Sequence, residues 1–351
     1  MNLVITNICN RNCSYCFAKE KLADDGDSGR AFISLDDVEF CLDFLEKSSV
    51  REFRILGGEP SIHPQFCEIV QRGLDRDFKI VVFTNGLWPE TVHGFISQLQ
   101  DSAQLTCIVN VNEPDTRRAG ETERQEATLS MLGERARLSF NIYRENFDLC
   151  FVVELVQRTG IKSRLRLGLA SPIVGVQNSF VPTAALPALG RRLAGQLRYL
   201  EANDVLVTFD CGFPFCMFDE RDLDVLTMAT ESGFESSCGS AIDVGPDLTA
   251  WSCFPFSSAL NVDLRDFKDL RELGDFFTES LAPFRSLGIF DECLSCRLFQ
   301  REQCCGGCMA RTIRSIEENG DPHVVEKLRR LGHGCRGATP PSNATNETSV
   351  A

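Results

Sequence analysis

Ten of the seventeen cysteines in this chain fall between residues 211 and 335, and three more fall within residues 9–16. This distribution limits the possible folds more than any apolar pattern does. An odd number cannot pair completely, and disulfide scaffolds are usually short secreted chains. Residues 1–7 have no basic segment, and their apolar run is too short for a signal peptide. The expected compartment is therefore the cytoplasm, where gathered thiols read as metal ligands. From Cys211 to Cys335 the chain is rich in Cys, Gly, Pro and Phe. It would struggle to build a core there without metal.

Residues 1 to about 170 have a different texture. Apolar runs at 3–6, 53–56, 80–84, 105–109, 138–142 and 165–169 predict six strands, most of them bounded by Gly, Asn, Pro or charge. Between the first two, Ser34-Leu35-Asp36-Asp37 resembles a capping box, and Leu35, Val38, Leu42 and Leu45 follow at helical spacing. Further helices are expected at 65–74, 90–98, 122–135 and 183–202. Strand–helix alternation gives an α/β fold with a parallel sheet, open or closed into a barrel. A strand at 205–209 opens a second region, and residues 337–351 read as a disordered tail.

The formal net charge is -14. Such a chain repels phosphate backbones, so a nucleic-acid substrate is not expected. No segment reaches the ~20 apolar residues needed to cross a bilayer.

Cys9-Asn10-Arg11-Asn12-Cys13-Ser14-Tyr15-Cys16 follows the first strand directly. Parallel α/β barrels build active sites from the loops after their strands. Three thiolates on one short loop can converge on one cluster and leave one iron of a four-iron cluster open. Zinc is the competing occupant, but structural zinc takes four ligands and no fourth stands nearby in the sequence. Three unrelated thiols are the other alternative.

This run resembles the CxxxCxΦC signature of the radical S-adenosylmethionine superfamily, in which Φ is aromatic. The resemblance implies a partial (β/α)6 barrel over residues 1–204. Cys9, Cys13 and Cys16 would hold a 4Fe-4S cluster, and S-adenosylmethionine would chelate its open iron. Tyr15 would lie against the adenine. Gly57-Gly58-Glu59-Pro60, ending the second strand, resembles the family's GGE motif for the methionine amine. Two glycines allow close backbone approach, and a carboxylate suits an ammonium group. Thr84-Asn85-Gly86 resembles its TNG segment, with Asn85 on the cofactor side. Asn110 and Asn112, ending the fourth strand, stand where relatives contact the ribose. Turn chemistry is the alternative role for these two. The resemblance further implies reductive cleavage to a 5'-deoxyadenosyl radical, hydrogen abstraction from substrate, and an electron donor such as flavodoxin or ferredoxin.

Cys293-Leu294-Ser295-Cys296 followed by Cys304-Cys305-Gly306-Gly307-Cys308 is a second cluster signal, because glycine-bearing short loops let sulfurs converge. A rubredoxin-like or zinc-ribbon site is the alternative. Behind a radical core, this order resembles the SPASM domain with its auxiliary 4Fe-4S clusters, here over residues 205–336. That resemblance assigns Cys293, Cys296, Cys304 and Cys335 to one cluster. It assigns Cys238, Cys253 and Cys308 to the other, with Cys211 or Cys216 as the fourth ligand. The gap from Cys296 to Cys304 and the gap from Gly245 to Cys253 both exceed the usual pattern, so one or two auxiliary clusters remain open, and Cys305 could replace Cys304. Phe254 follows Cys253 where sulfatase-maturating relatives carry a catalytic Asp, which argues against formylglycine formation. A thiol left unligated among Cys211, Cys216 and Cys305 is a candidate hydrogen-atom donor or substrate ligand. Cys41, Cys67, Cys107 and Cys150 read as structural thiols, and His63 as a local hydrogen-bonding residue.

Many SPASM relatives act on ribosomally made peptides, forming thioether or carbon–carbon crosslinks or epimerising a residue. A peptide or protein substrate is therefore the leading expectation. A small-molecule dehydrogenase or rearrangement enzyme is the alternative, and a non-catalytic metal-binding protein is a third.

Overall fold

The computed structural model describes residues 1–22, 30–99, 104–230, 233–239 and 241–319. All six expected strands form: β1 (Asn2–Val4), β2 (Glu52–Leu56), β3 (Lys79–Thr84), β4 (Leu105–Asn110), β5 (Ala136–Ile142) and β6 (Arg164–Leu169). Each pairs in parallel with the next. Parallel neighbours cannot be joined by a hairpin, so a helix returns the chain between strands. These helices are α1 (Leu35–Lys47), α2 (Phe66–Asp75), α3 (Glu90–Gln98), α4 (Glu121–Leu132), α5 (Cys150–Thr159) and, after β6, α6 (Leu186–Glu201). Ser34 caps α1 by accepting from the Asp37 N–H at 3.2 Å, and its hydroxyl donates back to the Asp37 carboxylate at 2.6 Å.

The strand at β1 is shorter than the apolar run that codes for it. Ile5 still donates to Leu56, but its carbonyl accepts from Ile33, and Thr6 bridges to Phe32. The chain thus leaves the sheet two residues early and turns into the cysteine loop.

The expected strand at 205–209 forms as β7 (Leu206–Phe209) and extends the same sheet, parallel to β6. Beyond it come α7 (Glu220–Ala229), β8 (Ile242–Val244), β9 (Thr249–Ser252), β10 (Asn261–Asp263), α8 (Leu270–Arg285), α9 (Arg297–Gln300) and α10 (Met309–Asn319). This region carries more regular structure than its Cys, Gly and Pro content suggests. Helix α8 buries Leu273, Phe277 and Leu281 at helical spacing, and Asp269 caps it by accepting from the Glu272 N–H. Strand β8 lies parallel to β1, and β9 and β10 follow antiparallel. The full order is β10-β9-β8-β1-β2-β3-β4-β5-β6-β7.

Along β4 buried residues alternate with half-buried ones. Cys107 and Val109, with Ile80, Val82, Leu138, Phe140, Leu165 and Leu167 on neighbouring strands, join the main core shared with the helices. A second, smaller core of Val4, Leu56, Ala18, Trp251 and Phe254 packs against Cys16 and Phe83. Buried Arg311 in α10 donates to Val181 O at 2.5 Å and Ala170 O at 2.8 Å, tying the last described helix to the loop after β6. No helix among the described residues is long and apolar enough to cross a membrane.

Candidate active site and thiol clusters

The loop after β1 carries Cys9, Cys13 and Cys16, all half-buried. Two segments from the ends of β2 and β3 grip it. The Gly58 N–H donates to Thr6 O and the Glu59 N–H to Ile8 O, each at 2.8 Å. A Cβ on Gly58 would stand 2.3 Å from Ile8 O, so only glycine lets β2 run this close to Cys9. From β3, Asn85 Nδ2 donates to Asn10 Oδ1 at 2.7 Å, inside the cysteine loop.

Glu59 lies deeper than its motif suggests. It is fully buried and accepts from Thr84 Oγ1 at 2.7 Å, Asn85 N at 2.7 Å and Ser61 N at 3.1 Å. Burial pushes its carboxyl pKa up against the pull of these donors. Its charge lies close enough to Cys9 to raise that thiol too. Cys9 is pushed to about 12, by burial first, and Cys16 to about 11 for the same leading reason.

Tyr15 is buried against Tyr143, with ring centroids 4.6 Å apart and the rings nearly parallel. Its hydroxyl is hydrogen-bonded to the Asn112 side chain and to Asn110 Nδ2 (2.9 Å), and Asn141 supports Asn110 at 2.8 Å. Asn110 and Asn112 therefore reach the cysteine loop through Tyr15. A cavity of about 230 Å³ opens beside Cys13 and Tyr15, lined also by Arg11, Asn112, Glu121 and Tyr143.

Sequence reasoning missed the Arg11–Glu121 pair, which closes the loop from the far side at 2.8 Å with both side chains at most a tenth exposed. It also missed Tyr143 and the Glu113–Arg144 pair (2.6 Å). Tyr143 follows the end of β5, where a parallel α/β fold concentrates chemistry, and that position was the available signal. His63 makes local bonds to Ile33 O and Gln65 N. Cys41 and Cys107 are fully buried, whereas Cys67 and Cys150 are half-buried near helix starts.

The C-terminal cysteines fall into two neighbourhoods. Burial raises Cys211 and Cys253 first; Asp210 and then Cys308 and Cys238 add to the rise at Cys211, and Cys308, Cys211 and Cys238 to that at Cys253, which sets these four thiols in one neighbourhood. Cys238 is pushed to about 11 by burial and then by Cys308. The second neighbourhood joins Cys293, Cys296 and Cys304 to Cys216, itself pushed to about 11 by burial and then by those three. Buried Cys304 accepts from Gly306 N at 3.4 Å. Cys305 stands between the groups, with Ser236 Oγ at 3.5 Å. Cys335, like His323 and His333, lies outside the described residues. Among the described residues no three His, Cys, Asp or Glu side chains close around a single metal ion.

The donor set fits iron–sulfur ligation at all three places. The donors are thiols, and N–H groups are aimed at sulfur, as in Arg11 N to Cys9 Sγ at 3.4 Å. The glycine at 58 leaves the backbone approach that the barrel loop requires.

Residues 3–134 match the family model of the Radical SAM superfamily. Among curated proteins, an S-adenosylmethionine-dependent nucleotide dehydratase of Selenomonas ruminantium is 36% identical over 24% of this chain and 29% of its own. A GTP 3',8-cyclase of Cronobacter sakazakii is 26% identical over 33% of this chain and 35% of its own. The chain thus spans about a third of the length of the curated relatives it matches. Among solved structures, Streptococcus suis SuiB bound to S-adenosylmethionine aligns with TM-score 0.60 and 15% identity over 89% of this chain and 73% of its own. SuiB bound to precursor peptide SuiA aligns with TM-score 0.61 and 16% identity over 89% of this chain and 72% of its own. The SuiB alignments show a shared fold. The domain match and the curated relatives support an enzyme that uses S-adenosylmethionine.

Proposed function

We propose that this protein is a radical S-adenosylmethionine enzyme with a SPASM-type C-terminal region, acting on a ribosomally made peptide or protein. The observation that carries the reading is the three-thiol loop after β1, gripped by Gly58 and Asn85, in a fold that aligns with SuiB over 89% of this chain. SuiB has been solved with a precursor peptide, which supports the same substrate class here.

Cys9, Cys13 and Cys16 would hold the cluster, and S-adenosylmethionine would bind it beside Tyr15. Once bound, the cofactor pair supplies one-electron cleavage of a sulfonium and, from it, hydrogen abstraction at unactivated carbon. The chain's own residues bind, orient and exclude water. Glu59 fixes the turns that carry Gly58 and Asn85 through its bonds to Thr84, Asn85 and Ser61. Asn110 and Asn112 hold Tyr15 at the cavity wall. The thiols of the C-terminal region would hold auxiliary clusters that take up the electron left after abstraction, or seat the substrate. An electron donor of flavodoxin or ferredoxin type would reduce the barrel cluster.

A second reading, a small-molecule enzyme, draws on the curated relatives that dehydrate or cyclise nucleotides. Anaerobic reconstitution followed by a 5'-deoxyadenosine assay with dithionite tests the core of the proposal. Cys13→Ala should lose more than about 99% of the product, because one missing thiolate removes the cluster. Full product in Cys13→Ala, or zinc with no cleavage in the wild type, would sink it. Hydrogen loss from candidate peptides, set against nucleotides, separates the two substrate classes.

A further inference from the structure

Cys211 and Cys216 stand five residues apart in sequence, and the SPASM resemblance calls on only one of them. The fold uses both, in different directions. Between them Gly212 takes φ +93°, and the short turn Phe215–Met217 begins behind Pro214. These bends turn the segment so that its two thiols face different groups. On the Cys211 side, a Cβ on Gly212 would lie 3.5 Å from Cys308 Cβ, and the Gly212 N–H donates to Ser237 O, the residue before Cys238. On the Cys216 side, Phe215 packs edge-on against Phe234 at 5.1 Å. Two residues further on, Ser236 bridges to Cys304, with Ser236 Oγ 3.3 Å from Cys304 Sγ. The segments 211–216, 234–238 and 304–308 thus run past one another. Gly212, next to Cys211, lies beside Cys308 and the residue before Cys238 at one end, and Phe215, next to Cys216, lies at the other beside the segment whose Ser236 stands at Cys304.

Cys253 joins the first group, sharing with Cys238 and Cys308 an apolar cluster around Phe256 and Leu281. Cys293 and Cys296 join the second. The Cys293 carbonyl accepts from the Cys296 N–H at 3.1 Å, so the CxxC loop presents both thiols from one turn. Among the described residues each group then numbers four thiols. A cuboidal cluster takes four thiolates.

We infer that Cys216 completes the Cys293–Cys296–Cys304 site, in the position that the resemblance gave to Cys335, and that Cys211 completes the Cys238–Cys253–Cys308 site. Neither cysteine is then a free catalytic thiol, and among the described C-terminal cysteines Cys305 is left over. The inference rests on the SPASM-type reading above, and the test separates the two.

Full-length wild type, Cys216→Ala, Cys216→Ser, Cys211→Ala and Cys335→Ala are reconstituted anaerobically. Iron and sulfide per chain and the electron paramagnetic resonance of the reduced proteins are then recorded. The wild type should hold about twelve irons, and Cys216→Ala and Cys211→Ala about eight each. Cys335→Ala should match the wild type in both readouts. Cys216→Ser, whose oxygen can still ligate iron, should keep more iron than Cys216→Ala and show shifted resonance, which a purely structural thiol would not produce. Loss of about four irons in Cys335→Ala with none lost in Cys216→Ala would overturn the assignment and leave the two-cluster reading standing. A wild type holding only about four irons would overturn both.

Discussion

Replacing Gly58 by alanine tests how tightly β2 clamps the cysteine loop. The added Cβ would stand 2.3 Å from Ile8 O, 2.5 Å from Ile8 C and 2.9 Å from Cys9 Cβ. Ordinary contact begins at 3.4 Å, so Ile8 and Cys9 must retreat by about 1 Å. The obstacle is backbone and cannot rotate aside. Two hydrogen bonds, Gly58 N to Thr6 O and Glu59 N to Ile8 O, oppose the retreat. Overpacking of this kind costs about 1–3 kcal/mol. The more telling consequence is at Cys9, since iron–thiolate ligation tolerates only about 0.2 Å of misplacement. Loss of a group that orients a ligand typically weakens metal binding about 10- to 100-fold. The assay is the rate of iron release to a chelator from anaerobically reconstituted protein, read together with 5'-deoxyadenosine yield. Gly94→Ala is the control: it lies in α3 with nothing within 4 Å of its Cβ position, and should gain about 0.5–1 kcal/mol in stability. If Gly58→Ala keeps the wild-type release rate and yield, the clamp is not what positions Cys9.

Two further outcomes follow from the same geometry. Glu121→Ala strands Arg11 in a nearly closed site, at a cost of about 3–5 kcal/mol, and melting should fall much further than in Glu121→Gln, which keeps an acceptor for Arg11. Asp243 is fully buried, and burial raises its pKa to about 7 against a hydrogen bond from Asn2. A raised carboxyl means the folded chain holds a proton that the unfolded chain releases near pH 4. That stability is fully present below about pH 4 and is lost as pH rises toward 7. Wild-type melting should therefore fall between pH 5.5 and 7.5 by more than in Asp243→Asn, and equal slopes would refute the burial argument.

Much of this architecture was legible in the chain. The runs at 80–84 and 105–109 are strands because branched and aromatic residues bounded by polar ends fit a covered parallel sheet, and these runs lie within β3 and β4 as found. The cysteine loop was legible for the same local reason, since its spacing and position after a strand are properties of contiguous residues. What was hidden depends on contacts across the sequence. Nothing local marks Glu121 as the partner of Arg11, a separation of 110 residues. Glu59 reads as a ligand in its motif, yet Thr84 and Asn85 draw its carboxylate inward. The choice between Cys211 and Cys216 could not be made from spacing, because it turns on the bend at Gly212 and on a segment around Ser236 that carries no motif.

The pairing of β8 with β1 has a consequence for how such a protein can be made. Asn2 and Asp243, hydrogen-bonded at 2.7 Å, are 241 residues apart in the chain. During synthesis β1 has its β2 side covered early, but its other edge stays bare until the segment bearing β8 arrives. A short strand with a bare edge is a poor place to assemble an oxygen-sensitive cluster, and an open invitation to other chains. On the proposed reading, loading of a cluster on the loop after β1 should follow completion of the sheet, so that the C-terminal half serves as the chaperone of that site.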